Sequence, residues 1–275
     1  VKRLFDDLAH RLQSLYKALR YFSNHHRANE DLKRANLLAL SMLRGRHKGQ
    51  RAVIIGNGPS LLIKDLERLG NDITFASNKI FLAYGETKWR PTYYTVEDHL
   101  VLKNNFSEIY NLQDSTKLFP SNTRDSGYFA ADTIFAPSLQ PKSYETPLED
   151  QNFPEFSTDL CRGIGWGSTV VYSQIQMALH MGCREIILIG IDHNYELPTK
   201  SDGKVFVGEG EQNHFHPDYR QPGEKWHPPN LDVLEVSYRK ARKVCESRGV
   251  LIVNASRQTQ LEVFQRADFD NIFPR

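Results

Sequence analysis

The apolar run Ala52-Val53-Ile54-Ile55 passes directly into Gly56-Asn57-Gly58-Pro59-Ser60 and then Leu61-Leu62. That order is strand, tight glycine turn, helix start, and it ties the chain to a small set of folds. Similar short runs at 73–76, 92–96, 108–111, 133–135, 186–191 and 250–254 predict further strands, with 52–56 as the first. Apolar residues at helical spacing predict helices over 60–68, 168–181 and 231–247. Strands alternating with amphipathic helices build a parallel sheet covered on both faces. The expected fold is therefore α/β: a Rossmann-like, mostly parallel sheet with helices on both faces, plus an N-terminal helical segment. In such sheets ligands bind beyond the carboxyl ends of the strands.

The 275 residues are enough for one large core with a helical appendage. The reading is a helical N-terminal extension over 1–50 and a nucleotide-binding catalytic domain over 51–275. The extension holds a striped helix at 2–22 and a second at 29–43, joined to the domain by the polar stretch Arg44 to Gln50. Residues 1–51 carry twelve Lys/Arg against four Asp/Glu, while the remainder carries twenty-three against twenty-nine. A basic segment of this kind suits contact with an anionic membrane surface, or a solvated helix face. No nucleic-acid recognition motif accompanies it, so no nucleic-acid partner is expected. There is no run of eighteen apolar residues and no apolar core of a secretion signal. Cys161, Cys183 and Cys245 lack paired or zinc-like spacing and read as ordinary thiols. These features together suggest a cytoplasmic protein, with the basic segment suited to the inner membrane face.

The glycine turn lets phosphates approach the backbone, but it is no standard nucleotide motif. No Gly-Lys-Ser/Thr follows, and the third glycine of the dinucleotide fingerprint is missing. Gly56, Asn57, Gly58 and Ser60 are candidate nucleotide contacts, with Ser60 also a candidate helix cap. Asn78 ends the next strand and faces the same edge as Asn57. A second loop, Gly163-Ile164-Gly165-Trp166-Gly167-Ser168-Thr169, opens a helix. Free N–H groups there form an anion site, with Gly167, Ser168 and Thr169 as candidate contacts. Capping explains the serine but not three glycines and a tryptophan before it.

Acid, base and metal candidates cluster in two places. Glu97, Asp98 and His99 follow a strand, but consecutive strand residues face alternately, so a compact three-ligand site is not expected there. Asp98 is assigned acceptor or metal contact. Asp192 stands just beyond the strand 186–191, well placed for a ribose, a metal or a proton. The region 193–230 reads as a long active-site loop. It carries His214, His216 and His227, each a candidate base. His214 and His216 could also join Asp218 around a metal, and Tyr219, Lys225 and Trp226 could wall a sugar or heterocycle. Gly-X-Ser-X-Gly is absent and no cysteine has a clear histidine partner near it, so covalent acyl chemistry is not the expected reading.

The ordered set Gly-Asn-Gly-Pro-Ser-Leu, an Asn-ending strand, a glycine-rich loop with Gly-Ser before a helix, and Gly-Ile-Asp resembles one superfamily. It includes 6-hydroxymethylpterin pyrophosphokinase-like proteins and proteins of surface-polysaccharide and flagellin-modification loci. The same order is distantly similar to bacterial CMP-sialic acid-dependent sialyltransferases. The resemblance covers roughly residues 50–254. The sialyltransferase likeness implies a glycosyltransferase of surface glycan biosynthesis with a CMP-linked nonulosonic acid or Kdo-like donor. Its nucleotide-sugar donor would meet Asn57, Gly58, Asn78, Ser168 and Thr169, and its acceptor would be a glycan or lipid-linked sugar. A loop histidine, His216 ranked first, would be the base, and no cofactor would be needed. The pterin-kinase likeness implies instead an ATP- and Mg2+-dependent diphosphokinase acting on 6-hydroxymethyl-7,8-dihydropterin or a similar alcohol. Asp98 and Asp192 would then be metal ligands, with Lys79, Arg184, Arg220 and Lys225 as sources of positive charge. Relatives in both groups imply a homo-oligomer. A non-catalytic nucleotide- or glycan-binding protein is the third expectation.

Overall fold

The computed structural model describes residues 30–128, 130–139, 152–195, 205–209 and 212–275. The expected helix over 2–22 lies outside them. A helix over 30–43 (α1) precedes the sheet. Eight strands form one sheet: β1 (Arg51–Ile55), β2 (Ile73–Ser77), β3 (Tyr93–Thr95), β4 (Thr116–Pro120), β5 (Thr133–Ala136), β8 (Glu185–Ile189), β11 (Leu251–Asn254) and β12 (Gln265–Arg266). Their order is β12-β11-β8-β1-β2-β3-β4-β5, and every pairing is parallel. Four two-residue strands lie outside it: β6 (Ser138–Leu139) pairs with β7 (Ile164–Gly165), and β9 (Phe206–Val207) pairs with β10 (Lys225–Trp226).

The central strands are apolar at nearly every position because both faces are covered. Ala52 and Ile54 point into one core layer, with α5 (Val170–His180), α6 (Leu231–Ser247) and Leu40 and Leu43 of α1. Val53 and Ile55 point into the other, with α2 (Ile63–Leu66), α3 (His99–Asn104), α4 (Phe106–Tyr110) and α7 (Phe269–Ile272). Ile54, Phe75, Ile186 and Leu188 are fully buried. Each such side chain contributes roughly 1.5–3 kcal/mol relative to exposure. The stretch after α1 is docked rather than loose: Gly45, His47 and Gly49 N–H donate to the carbonyls of His180, Met181 and Gly182.

Two elements differ from the sequence reading. The expected strand at 108–111 is helix α4, where Phe106 and Tyr110 stack one turn apart at 5.8 Å and Ile109 is buried. The strand of that region is β4, hidden in sequence by Lys117 and Pro120. Lys117 is fully buried, its ammonium donating to the Tyr110 carbonyl and to Asp132. The strand expected over 186–191 stops at Ile189, because Gly190 takes φ 64° and turns the chain.

The loops after β1 and β8, neighbours in the sheet, lead in opposite directions along it, toward β2 and toward β11. This is the topological switch point where open parallel sheets bind ligands.

Candidate active site

The first glycine turn is built for loop-to-loop packing. A Cβ on Gly56 would lie 2.3 Å from the Gly190 carbonyl oxygen, and one on Gly58 would lie 2.7 Å from Asp192 Cγ. The N–H groups of Gly56, Gly58 and Ser60 donate to Ile189 O, Gly190 O and Asp192 Oδ2 at 2.8, 2.9 and 2.7 Å. They are therefore spent on the neighbouring loop. Ser60 does not cap a helix; its hydroxyl donates to Asp192 Oδ1, and α2 begins after Leu62 without a side-chain cap. Asp192 is thus a clamp between two loops. Burial raises its carboxyl, against the two Ser60 bonds. Asn57 Nδ2 donates to the Ser77 carbonyl at 3.2 Å, which sets Asn57 beside the end of β2 and Asn78. The side-chain carbonyls of both Asn57 and Asn78 are buried without a partner.

The second glycine loop has the freer N–H groups. Thr169 caps α5, its hydroxyl accepting from Val171 N at 3.3 Å. Among the described residues, the N–H groups of Gly167, Ser168, Thr169 and Val170 donate to no protein acceptor. They carry the positive end of an eleven-residue helix. The glycines themselves have packing reasons. A Cβ on Gly165 would fall 1.8 Å from the Glu155 carbonyl oxygen, and the Gly167 carbonyl accepts from Ser237.

Three side-chain contacts draw the starts of α3, α5 and α6 together. Glu97, just past β3, accepts from the Ser173 hydroxyl on α5. Ser168 Oγ accepts from Asn230 N, and Asn230 caps α6. Asp98 caps α3 through Leu100 N at 2.7 Å and meets His227 Nδ1 at 2.8 Å. Burial pushes the Glu97 carboxyl up to about 7, only partly offset by Ser173. Burial acts the same way on Asp98, but the bond and charge of His227, with the Leu100 N–H, outweigh it and hold that carboxyl below its ordinary value. Ser173, Asn230 and the fully buried Gln174, whose amide nitrogen and oxygen have no partner, were not singled out from the sequence. The only signal of Ser173 and Gln174 was a polar residue on a largely apolar helix, and that of Asn230 was an Asn just before a helix.

Asp98, His99 and His227 bring three ligand atoms within 4.8 Å of one another. Glu97, Asp98 and His99 do not form a three-ligand group by themselves, as expected: Glu97 turns to Ser173, and the third ligand is His227 from the long loop. The chain has left the strand before Asp98 and starts a helix at His99. Asp98, His99 and His227 are a candidate divalent-cation site. Asp192 is not among them. One carboxylate and two imidazoles are a poor match to magnesium, which prefers oxygen donors.

The other loop histidines are used differently. His216 Nδ1 accepts from Asp218 N at the head of a short turn over Pro217–Tyr219. His214 stacks on Tyr219 with ring centres 3.7 Å apart, and its Nδ1 has no partner. Burial, then the charges of Arg220 and Lys79, push the His214 imidazole down to about 3. Lys79 is buried against the Glu224 carboxylate at 2.8 Å and the Tyr219 carbonyl. Arg220 lies over the Trp226 ring at 4.3 Å and 3.7 Å from Glu224. Lys79 fastens the loop to the end of β2, and Arg220 braces the loop internally. An open cavity of about 450 Å³ lined by Lys64, Asp65, Arg68, Arg257 and Asp270 shares no residue with this region. Its Arg68 and Arg257 are paired with Asp270.

A family model described as 6-hydroxymethylpterin diphosphokinase MptE-like matches residues 26–197. The chain belongs to this MptE-like family. The match takes in Asn57, Asn78, Asp98, His99, Ser168, Thr169 and Asp192. In this MptE-like chain His214, His216 and His227 lie beyond the matched segment. No curated protein and no solved structure matches the chain. Membership accords with nucleotide-associated transfer chemistry on a Rossmann-like sheet. No helix among the described residues is long and apolar enough to cross a membrane.

Proposed function

We propose that the protein transfers a diphosphoryl group from ATP to a hydroxymethyl group on a pterin or similar heterocycle. The match to the diphosphokinase-like family over residues 26–197 carries this reading. The start of α5 suits the phosphates, since unpaired N–H groups and aligned peptide dipoles favour anions. The buried, unpartnered carbonyls of Asn57 and Asn78 suit the N–H edges of a heterocycle. The acceptor hydroxyl would arrive at Asp98, His99 and His227. Its oxygen attacks the β-phosphorus, the bond from that phosphorus to the α-phosphate's bridging oxygen breaks, and AMP leaves. The hydroxyl proton passes to the site or to water.

One observation favours a second reading. The Asp98–His227 hydrogen bond orients an imidazole as a base, and this needs no cation. Such a base suits glycosyl transfer from a CMP-linked sugar to a glycan hydroxyl. Among the three loop histidines it points to His227 rather than His216.

Calorimetry on purified protein with ATP, CMP, CDP, UDP and GDP, with and without magnesium, tests both. Binding of ATP, with AMP and a diphosphorylated alcohol appearing by phosphorus NMR, is the expected result. Metal-independent CMP binding without ATP binding would overturn the diphosphokinase reading and favour glycosyl transfer.

A further inference from the structure

We propose that Asp98, His99 and His227 bind a transition-metal dication of the zinc or cobalt kind in preference to magnesium. The argument stands on the donors and does not depend on which group is transferred. Asp98 and His99 sit at the start of α3, and His227 reaches them from the loop before α6. Both bonds of Asp98, to Leu100 N and to His227, fall on Oδ1, which leaves Oδ2 for a cation. The His99 and His227 rings stand 4.6 Å apart, tilted by 56°. A hydrogen-bonded Asp–His pair explains two of the three residues. It gives no reason for a second imidazole beside the first. A shared dication does, because both rings then act as neutral ligands.

The donor set separates the metals. Imidazole nitrogen suits zinc and the later first-row dications, whereas magnesium takes oxygen and keeps its waters. Three protein ligands also leave coordination positions open, as catalytic rather than structural sites do. The Asp98 and His227 side chains are 25% and 33% exposed, so the group is accessible from solvent.

The test uses the untagged full chain, freed of metal with a chelator and titrated with Zn2+, Co2+ and Mg2+ in the absence of nucleotide. The expected result is one equivalent of Zn2+ or Co2+ bound, a visible Co2+ absorption band, and no heat with Mg2+ at the same concentration. His99 is exposed, so His99→Ala should fold, as circular dichroism checks. It should weaken Zn2+ binding by more than the roughly 10–100-fold that follows loss of an outer-shell partner. Absence of Zn2+ binding in the wild type would overturn the proposal. So would Zn2+ binding unchanged by both His99→Ala and His227→Gln. ATP binding measured on the same samples keeps failure of the metal site separate from failure of the diphosphokinase reading.

Discussion

His227 is the residue on which both transfer readings converge. It is the loop histidine with a carboxylate partner at hydrogen-bond distance, and it stands three residues before the cap of α6. We expect His227→Gln to lower kcat by about 10²–10⁴-fold, the usual scale for loss of a proton-transfer group in the glycosyl-transfer reading, and through loss of a metal ligand in the diphosphokinase reading. Nucleotide affinity should change little, because the α5 N–H groups are untouched. Single-turnover kinetics beside a calorimetric Kd checks this; equal losses in both would assign His227 to binding instead. Asp192 has the opposite character. Its carboxylate is consumed by Ser60, so Asp192→Ala should cost stability, about 1–3 kcal/mol for the stranded donors. Urea denaturation measures it.

At the scale of elements, the sheet was legible because its strands are buried on both faces and read as plain apolar runs. The helix over 231–247 was legible for the complementary reason: Val233, Leu234, Tyr238, Ala241 and Cys245 are buried along one stripe. What escaped was β4, where the ammonium of a strand lysine finds buried oxygen partners that no local pattern announces. Only part of the candidate site was legible, and as residues rather than as an arrangement; Ser173, Asn230 and Gln174 were not singled out. Asp98 and His227 stood among the candidates, but a contact across 129 positions leaves no trace in spacing. The glycine loop before α5 was seen as a ligand loop, and the structure adds a second reason for its glycines. We therefore expect Gly165→Ala to destabilise the fold by several kcal/mol, on the order of the larger core penalties, since its Cβ would overlap the Glu155 carbonyl. A thermal melt should show this before any assay does.

For the molecule as a whole, the half-buried His214 of the loop links stability to acidity. Unfolded, His214 takes a proton near its ordinary value of 6.5; folded, it resists until about 3. The unfolded chain then holds more protons, so stability is complete above 6.5 and is lost as pH falls through that window. His214→Phe keeps a ring against Tyr219 and removes the titration. It should flatten the stability profile there by at most about 1.4 kcal/mol per pH unit. Unfolding midpoints at stepped pH values decide it; parallel wild-type and variant profiles would refute the assignment.

The pairing of β1 with β8 joins Arg51 to Glu185 and Ile55 to Ile189. A chain emerging from the ribosome therefore makes β1 long before its partner β8 exists. Until then one edge of this apolar strand is open, and the Gly56–Ser60 turn lacks the Gly190 and Asp192 groups that hold it. Long-range parallel pairing of this sort is slow and exposed to aggregation. A nascent chain stalled before residue 185 should be held by chaperones and lack nucleotide binding, while one extended past residue 254 would have all the strands that flank the switch point.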